Sequence, residues 1–227
     1  TIGARKEARN SLEAGLALAD AIGNRGAVSH AQMNLLGFAA TFGGDKRLDT
    51  YLAESRADAD ADATGVWTSP DRSNLGVLFY RGWELIRNTG DTSCGRARSL
   101  LQLAAEGYQA SDNRDVLPVA LGVWGEAERR CGNRERALEL TKRAAELLES
   151  GAHSLLNEST VYLALHDVCA EQGDEEGARD AVRRGLPHLE RRLKGLQRTS
   201  YANLFLSELP DNAGLLGAAE SYGLVPD

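Results

Sequence analysis

Proline, aromatic residues and cysteine are scarce in this chain, and no long apolar run interrupts it. Five prolines and 6% aromatic residues leave a composition rich in Ala, Leu, Arg and Glu, which favours helix. No stretch approaches the roughly 20 apolar residues that a membrane span needs, so no membrane partner is expected. No signal peptide opens the sequence, and a cytoplasmic location is expected. The first residue is Thr1 rather than Met, as in a processed chain or a piece of a longer one.

A basic field is missing too. Lys and Arg total 26 against 33 Asp and Glu, a net charge of −7. The acids are spread along the chain, which argues against nucleic acid as a partner. The one basic block, residues 183–198, reads as a solvated helix face. Three cysteines, Cys94, Cys131 and Cys169, are too few and too far apart for a disulfide framework. They are expected as buried free thiols in helices. No phosphate loop, nucleophile elbow or metalloprotease motif is present, and nothing nominates a catalytic residue.

What is present is a repeat. After Gly132 come Ala137, Thr141 and Ala144, at offsets of five, nine and twelve. Gly173 is followed at the same offsets by Ala178, Val182 and Gly185, and Gly3 by Ala8, Leu12 and Gly15. Gly44 and Gly90 anchor looser copies, Leu48/Leu52 and Ala97/Leu101/Ala104. Successive glycines 3, 44, 90, 132 and 173 are spaced by 41, 46, 42 and 41 residues. A period of that length marks a repeat architecture. Glycine can end one helix in the left-handed conformation, and the Asp or Asn after it can cap the next. Small residues at plus five and plus twelve share a helix face where a second helix can approach closely.

This pattern resembles the tetratricopeptide repeat: Gly-Asp/Asn at the turn, then Ala, a large apolar residue and Ala on helix B. Leu121, Trp124 and Gly125 match its helix-A positions, as do Tyr162 and Leu165 in the next unit. His166 and Cys169 stand where the family has a small and an aromatic residue. The long units are similar to those of large bacterial signalling proteins, serine/threonine kinases and ATP-binding transcriptional activators, and residues 205–219 resemble their closing segment. The resemblance implies an all-α, right-handed α-α superhelix of stacked helical hairpins. The expected organisation is a half repeat at 1–24, hairpins at 25–66, 67–113, 114–152 and 153–198, and a capping pair at 199–227. Pro187 is expected to kink the last long helix.

If the family register holds, helix A lines a concave groove with Asn34, Phe38 and Phe42, Tyr80, Glu84, Arg87 and Asn88, Glu126, Arg129 and Arg130, and Asp167 and Glu171. The family's carboxylate clamp is not reproduced among them. The implied function is a non-catalytic module that binds a protein or peptide segment, the scaffold or sensor part of a bacterial signalling protein. The alternative is the regulatory tail of a larger kinase or ATPase. No cofactor is expected.

Other constellations have plainer readings. Asp60, Asp62, Thr64, Gly65, Thr68 and Asp71 fall at calcium-loop spacings, but position twelve lacks the bidentate Glu and Pro70 interrupts the second helix. A solvated helix end is expected there. His166 and Cys169, three apart, are two ligands where a structural zinc needs four, so core packing is expected. His30, His153 and His188 are isolated near helix ends, where surface roles suffice. Trp83 and Trp124 are expected in the core. The stripe Ala8, Leu12, Leu16 and Ala19 is expected to lack a partner within the chain, making helix 4–22 a route to homo-oligomers.

Overall fold

The computed structural model of the chain describes residues 5–43, 49–50, 53, 72–88, 93–151, 154, 156–196 and 199–224, without the side chains of 72–74 and 88. The repeat anchors Gly3, Gly44 and Gly90, the stretch Asp60–Asp71 with Trp67, and His153 lie outside the described residues. Among the described residues the structure is all α-helix, with no strand. No described helix is long and apolar enough to cross a membrane. The chain divides into two compact units, residues 5–107 and residues from Tyr108 onward.

The first unit contains α1 (Arg5–Ala21), α2 (Arg25–Phe42), α3 (Arg72–Asn88) and α4 (Cys94–Ala110) as far as Gly107. Asn24 caps α2 with its side chain, accepting from the Ala27 N–H at 3.0 Å. Helix α1 packs on α2, and α2 on α3. Leu16, Leu35, Leu36, Phe38 and Ala39 form a core, with Ala8, Leu12, Val77 and Tyr80 against it. The stripe expected to be orphaned therefore has a partner: α2 covers Leu16 and Ala19, because the turn at Gly23 folds α2 directly back along α1. Among the described residues the large apolar side chains left exposed are Leu18 and Ile22 instead.

The second unit contains α5 (Leu117–Arg130), α6 (Arg134–Glu149), α7 (Ser159–Glu171), α8 (Glu175–Leu196), α9 (Ala202–Ser207) and α10 (Pro210–Ser221). Pro118 and Pro210 sit in the first turns of α5 and α10, where a missing N–H costs nothing. Helices α5 and α6 form one hairpin, α7 and α8 the next; α7 also packs on α5 and α6, and α10 on α7 and α8. At the α5–α6 turn the Asn133 N–H reaches back to the Glu128 carbonyl at 2.8 Å, and Gly132 stands at φ +82°. The α7–α8 turn repeats this, with Asp174 N–H on the Cys169 carbonyl at 3.0 Å. Such a left-handed turn favours glycine because a Cβ would clash with its own backbone.

The residues after these glycines divide. Asp174 caps α8, accepting from the Gly177 N–H at 2.8 Å. Asn133 does not cap α6; its amide turns back to Glu128 Oε2 at 2.6 Å. Small residues act as the repeat predicts: Ala137, Thr141 and Ala144 are fully buried, with Thr141 against Gly125 of α5. Helix α8 runs through Pro187 for 22 residues. All three cysteines are free, but only Cys169 is buried; Cys94 at the start of α4 and Cys131 at the end of α5 sit at helix ends and are half-exposed.

Candidate functional site

Helices α2 and α3 carry the first set of expected groove residues. Tyr80 packs against α2 where Gly37 leaves room, since a Cβ there would stand 3.0 Å from its ring. Burial pushes its phenol pKa up. Tyr80 and Trp83 stack at 6.3 Å, and the Arg87 guanidinium lies 5.0 Å over the Trp83 ring. Arg87 also donates to the Thr41 carbonyl at 3.4 Å. Phe38 and Phe42 meet at 4.9 Å. Phe38 and Glu84 lie in the core, and Glu84 accepts from Arg81 at 2.8 Å. Asn34, Phe42, Tyr80 and Arg87 are half-buried; Asn88 is the last residue of α3. The aromatic and cationic groups are thus together, but much of their surface is spent on the unit's own helices.

Helices α5 and α7 bring the second set together on one face. Arg129 grips Glu126 through two parallel bonds, Nε to Oε2 at 2.7 Å and Nη2 to Oε1 at 2.8 Å. Arg130 Nε donates to the same carboxylate at 2.6 Å. Arg129 Nη1 reaches across to Glu171 of α7. Its pKa is raised, chiefly by the bonds to Glu126 and against the effect of burial, with Glu171 and Asp167 adding. Residues three and four apart share a helix face, which is why Glu126 meets both arginines. Asp167 accepts from His166 Nδ1 at 2.8 Å, and His166 Nε2 meets the Tyr222 hydroxyl at 3.3 Å. Each unit holds its own set, Tyr80 with Arg87 in the first and Arg129 with Glu171 in the second.

The principal site that sequence reading missed is inside the second unit. His188 is buried in α8, not at a surface as expected. Its Nδ1 meets Glu158 Oε2 at 3.0 Å and its Nε2 meets the Tyr162 hydroxyl at 2.9 Å. A carboxylate only accepts, so in the neutral ring Nδ1 donates and Nε2 accepts from the phenol. Arg192 ties this cluster to the preceding loop, donating to the Ser154 carbonyl at 2.7 Å. Glu158 and Tyr162, four apart, share one face of the α7 start, and that spacing was the available signal. A second buried carboxylate, Glu128, accepts from the Trp124 indole at 2.9 Å and from Asn133. Cys169 is in the core, as are Trp83 and Trp124, while His30 is exposed. Among the described residues no three His, Cys, Asp or Glu side chains converge as a metal site would require.

No family model matches the chain, and no curated protein or solved structure matches it either.

Proposed function

We propose that the chain is a non-catalytic interaction module, a tetratricopeptide-like array of helical hairpins coiled as a right-handed superhelix. It docks a segment of another protein, as the scaffold or sensor part of a signalling protein. The observation that carries this is the charged face of α5 and α7, where Glu126, Arg129, Arg130 and Glu171 adjoin. Consecutive helix-A elements placed side by side offer a partner a pre-ordered row of charges. Side chains already fixed by ion pairs lose little further entropy on binding. A partner carboxylate would compete with Glu126 for Arg130, and a partner Lys or Arg would meet Asp167 and Glu171.

The test is a binding measurement once a partner has been captured with the 227-residue chain as bait. Arg130→Glu together with Asp167→Lys is expected to weaken it at least about thirtyfold, the scale of one interface anchor. Helix content should not change. Affinity that survives this pair but falls on altering Arg143 and Glu146, on the exposed side of α6, would place binding elsewhere and refute the reading.

A further inference from the structure

Helix α8 opens with acids and bases at the spacings that ordinarily close ion pairs. Glu175 precedes Arg179 by four residues, the favourable order for such a pair, and Glu176 precedes it by three. Among the described residues neither pair forms. Arg179 Nη2 turns instead to the end of α10, donating to the Tyr222 carbonyl at 3.4 Å. Arg183, one turn further along, holds Asp180 at 3.1 Å and is exposed. Between these groups lies an open cleft of about 640 Å³, lined by Glu175, Glu176, Arg179, Arg183, Tyr222 and Leu224. Its apolar wall is fixed in place. The Tyr222 hydroxyl meets His166 Nε2 at 3.3 Å, and the two rings meet edge to face. Gly223, at φ +63°, turns the chain back so that the Leu224 N–H donates to the Ala219 carbonyl at 2.9 Å, which sets Leu224 in the wall.

We propose that this cleft binds a short peptide of two or three residues by its two charged ends, with apolar side chains laid on Tyr222 and Leu224. The lining selects that class. Glu175 and Glu176 receive the ammonium, and Arg179 and Arg183 receive the carboxylate. Arg179 does so without releasing the Tyr222 carbonyl, because a guanidinium carries five donors. A ligand of one charge leaves half of the lining unmatched. Spacing then decides the length. At 1.5 Å per residue along α8, Glu175 stands about 6 Å from Arg179 and about 12 Å from Arg183. A free amino acid keeps its two charged ends within about 3 Å, and an extended chain adds about 3.5 Å per further residue. Two or three residues match the span, and one does not. The proposal does not rest on the α5–α7 face.

Titration calorimetry of the 227-residue chain with the dipeptide leucyl-phenylalanine tests it. One-site binding at about 10⁻⁴ M or tighter is expected. Acetylating the peptide's ammonium, or amidating its carboxylate, should each weaken binding at least about tenfold. Glu175→Gln with Glu176→Gln should weaken the free dipeptide by a similar factor and leave the acetylated one unchanged. Arg179→Met with Arg183→Met should weaken the free dipeptide likewise and leave the amidated one unchanged. All four side chains belong to exposed residues, so circular dichroism should not change. No heat at millimolar dipeptide, blocked forms bound as well as the free one, or affinity that survives either pair of substitutions would each overturn the proposal. So would free leucine bound as tightly as the dipeptide.

Discussion

Gly125 and Thr141 pack so closely that the α5–α6 crossing has no room for a methyl group. A Cβ on Gly125 would stand 2.6 Å from Thr141 Cγ2 and 3.1 Å from the Ala137 carbonyl oxygen. Both neighbours are fully buried, and one contact is backbone, so the helices themselves must part. Gly125→Ala is expected to cost about 1–3 kcal/mol in urea unfolding, the usual range for overpacking. Thr141→Ser removes the Cγ2 contact and should recover part of that loss in the double variant.

The acid limb of stability should run through Glu158. Burial pushes its carboxyl up, but bonds from His188 and the Ser154 N–H, with the Arg192 charge, outweigh burial and hold it below the ordinary carboxylate value. A carboxylate depressed in the folded state contributes stability that is fully present above the unfolded-chain value of about 4.3. That contribution is lost as pH falls through the folded value. Glu158→Gln should therefore flatten the decline in urea stability below about pH 4.5. At neutral pH the variant should be less stable by about 2–3 kcal/mol, since a charge-assisted bond in a buried cluster is weakened. An acid limb unchanged by the substitution would assign it to other carboxylates.

The three thiols should separate by reactivity. Burial, with Asp174 nearby, pushes the Cys169 thiol up, whereas Cys94 and Cys131 are half-exposed. The thiolate is the reacting form, so Cys169 is both shielded and poorly ionised. An aromatic disulfide reagent is expected to modify Cys94 and Cys131 in the native chain and Cys169 only after urea is added. Mass spectrometry of the labelled peptides checks the assignment.

Two residues at equivalent turn positions should respond differently to truncation. Asp174→Ala removes the α8 cap and is expected to cost about 1 kcal/mol. Amide exchange should accelerate in the first turn of α8. Asn133→Ala removes no cap from α6. It takes a donor from buried Glu128 instead, so its signature should be a changed Trp124 fluorescence, with α6 exchange unaltered.

Much of this fold is legible in the sequence because its turns are local. Gly132-Asn133 and Gly173-Asp174 mark hairpin turns within a few residues of chain, and Ala137 and Ala178 announce the face that must sit close to another helix. The polar interior is not local. Glu158, Tyr162 and His188 look like a helix start, an aromatic core position and a stray histidine until the α7–α8 hairpin closes. The same limit applies to the candidate site: spacing puts Arg129 and Arg130 beside Glu126, but the Glu171 contact spans 42 residues. The family register also implied Phe38 and Glu84 on a groove, yet both are in the core, since a repeat register gives a face and not its depth. For α1, the apolar stripe was readable, whereas the neighbour covering it depended on how the Gly23 turn directs α2.

The hairpin turns also bear on how quickly the second unit forms and how slowly it comes apart. Helices joined by three-residue turns pair with little loop to close, so α5–α6 and α7–α8 give low contact order and folding on the microsecond-to-millisecond scale. The closing helix is held otherwise. Thr160 donates to Asp211 and Asn157 to Asn212 across 51 and 55 residues. Contacts that shut such long loops gain least in the transition state and act chiefly on the unfolding rate. The lifetime of the native unit, rather than its speed of assembly, therefore rests on the polar seam between α7 and α10.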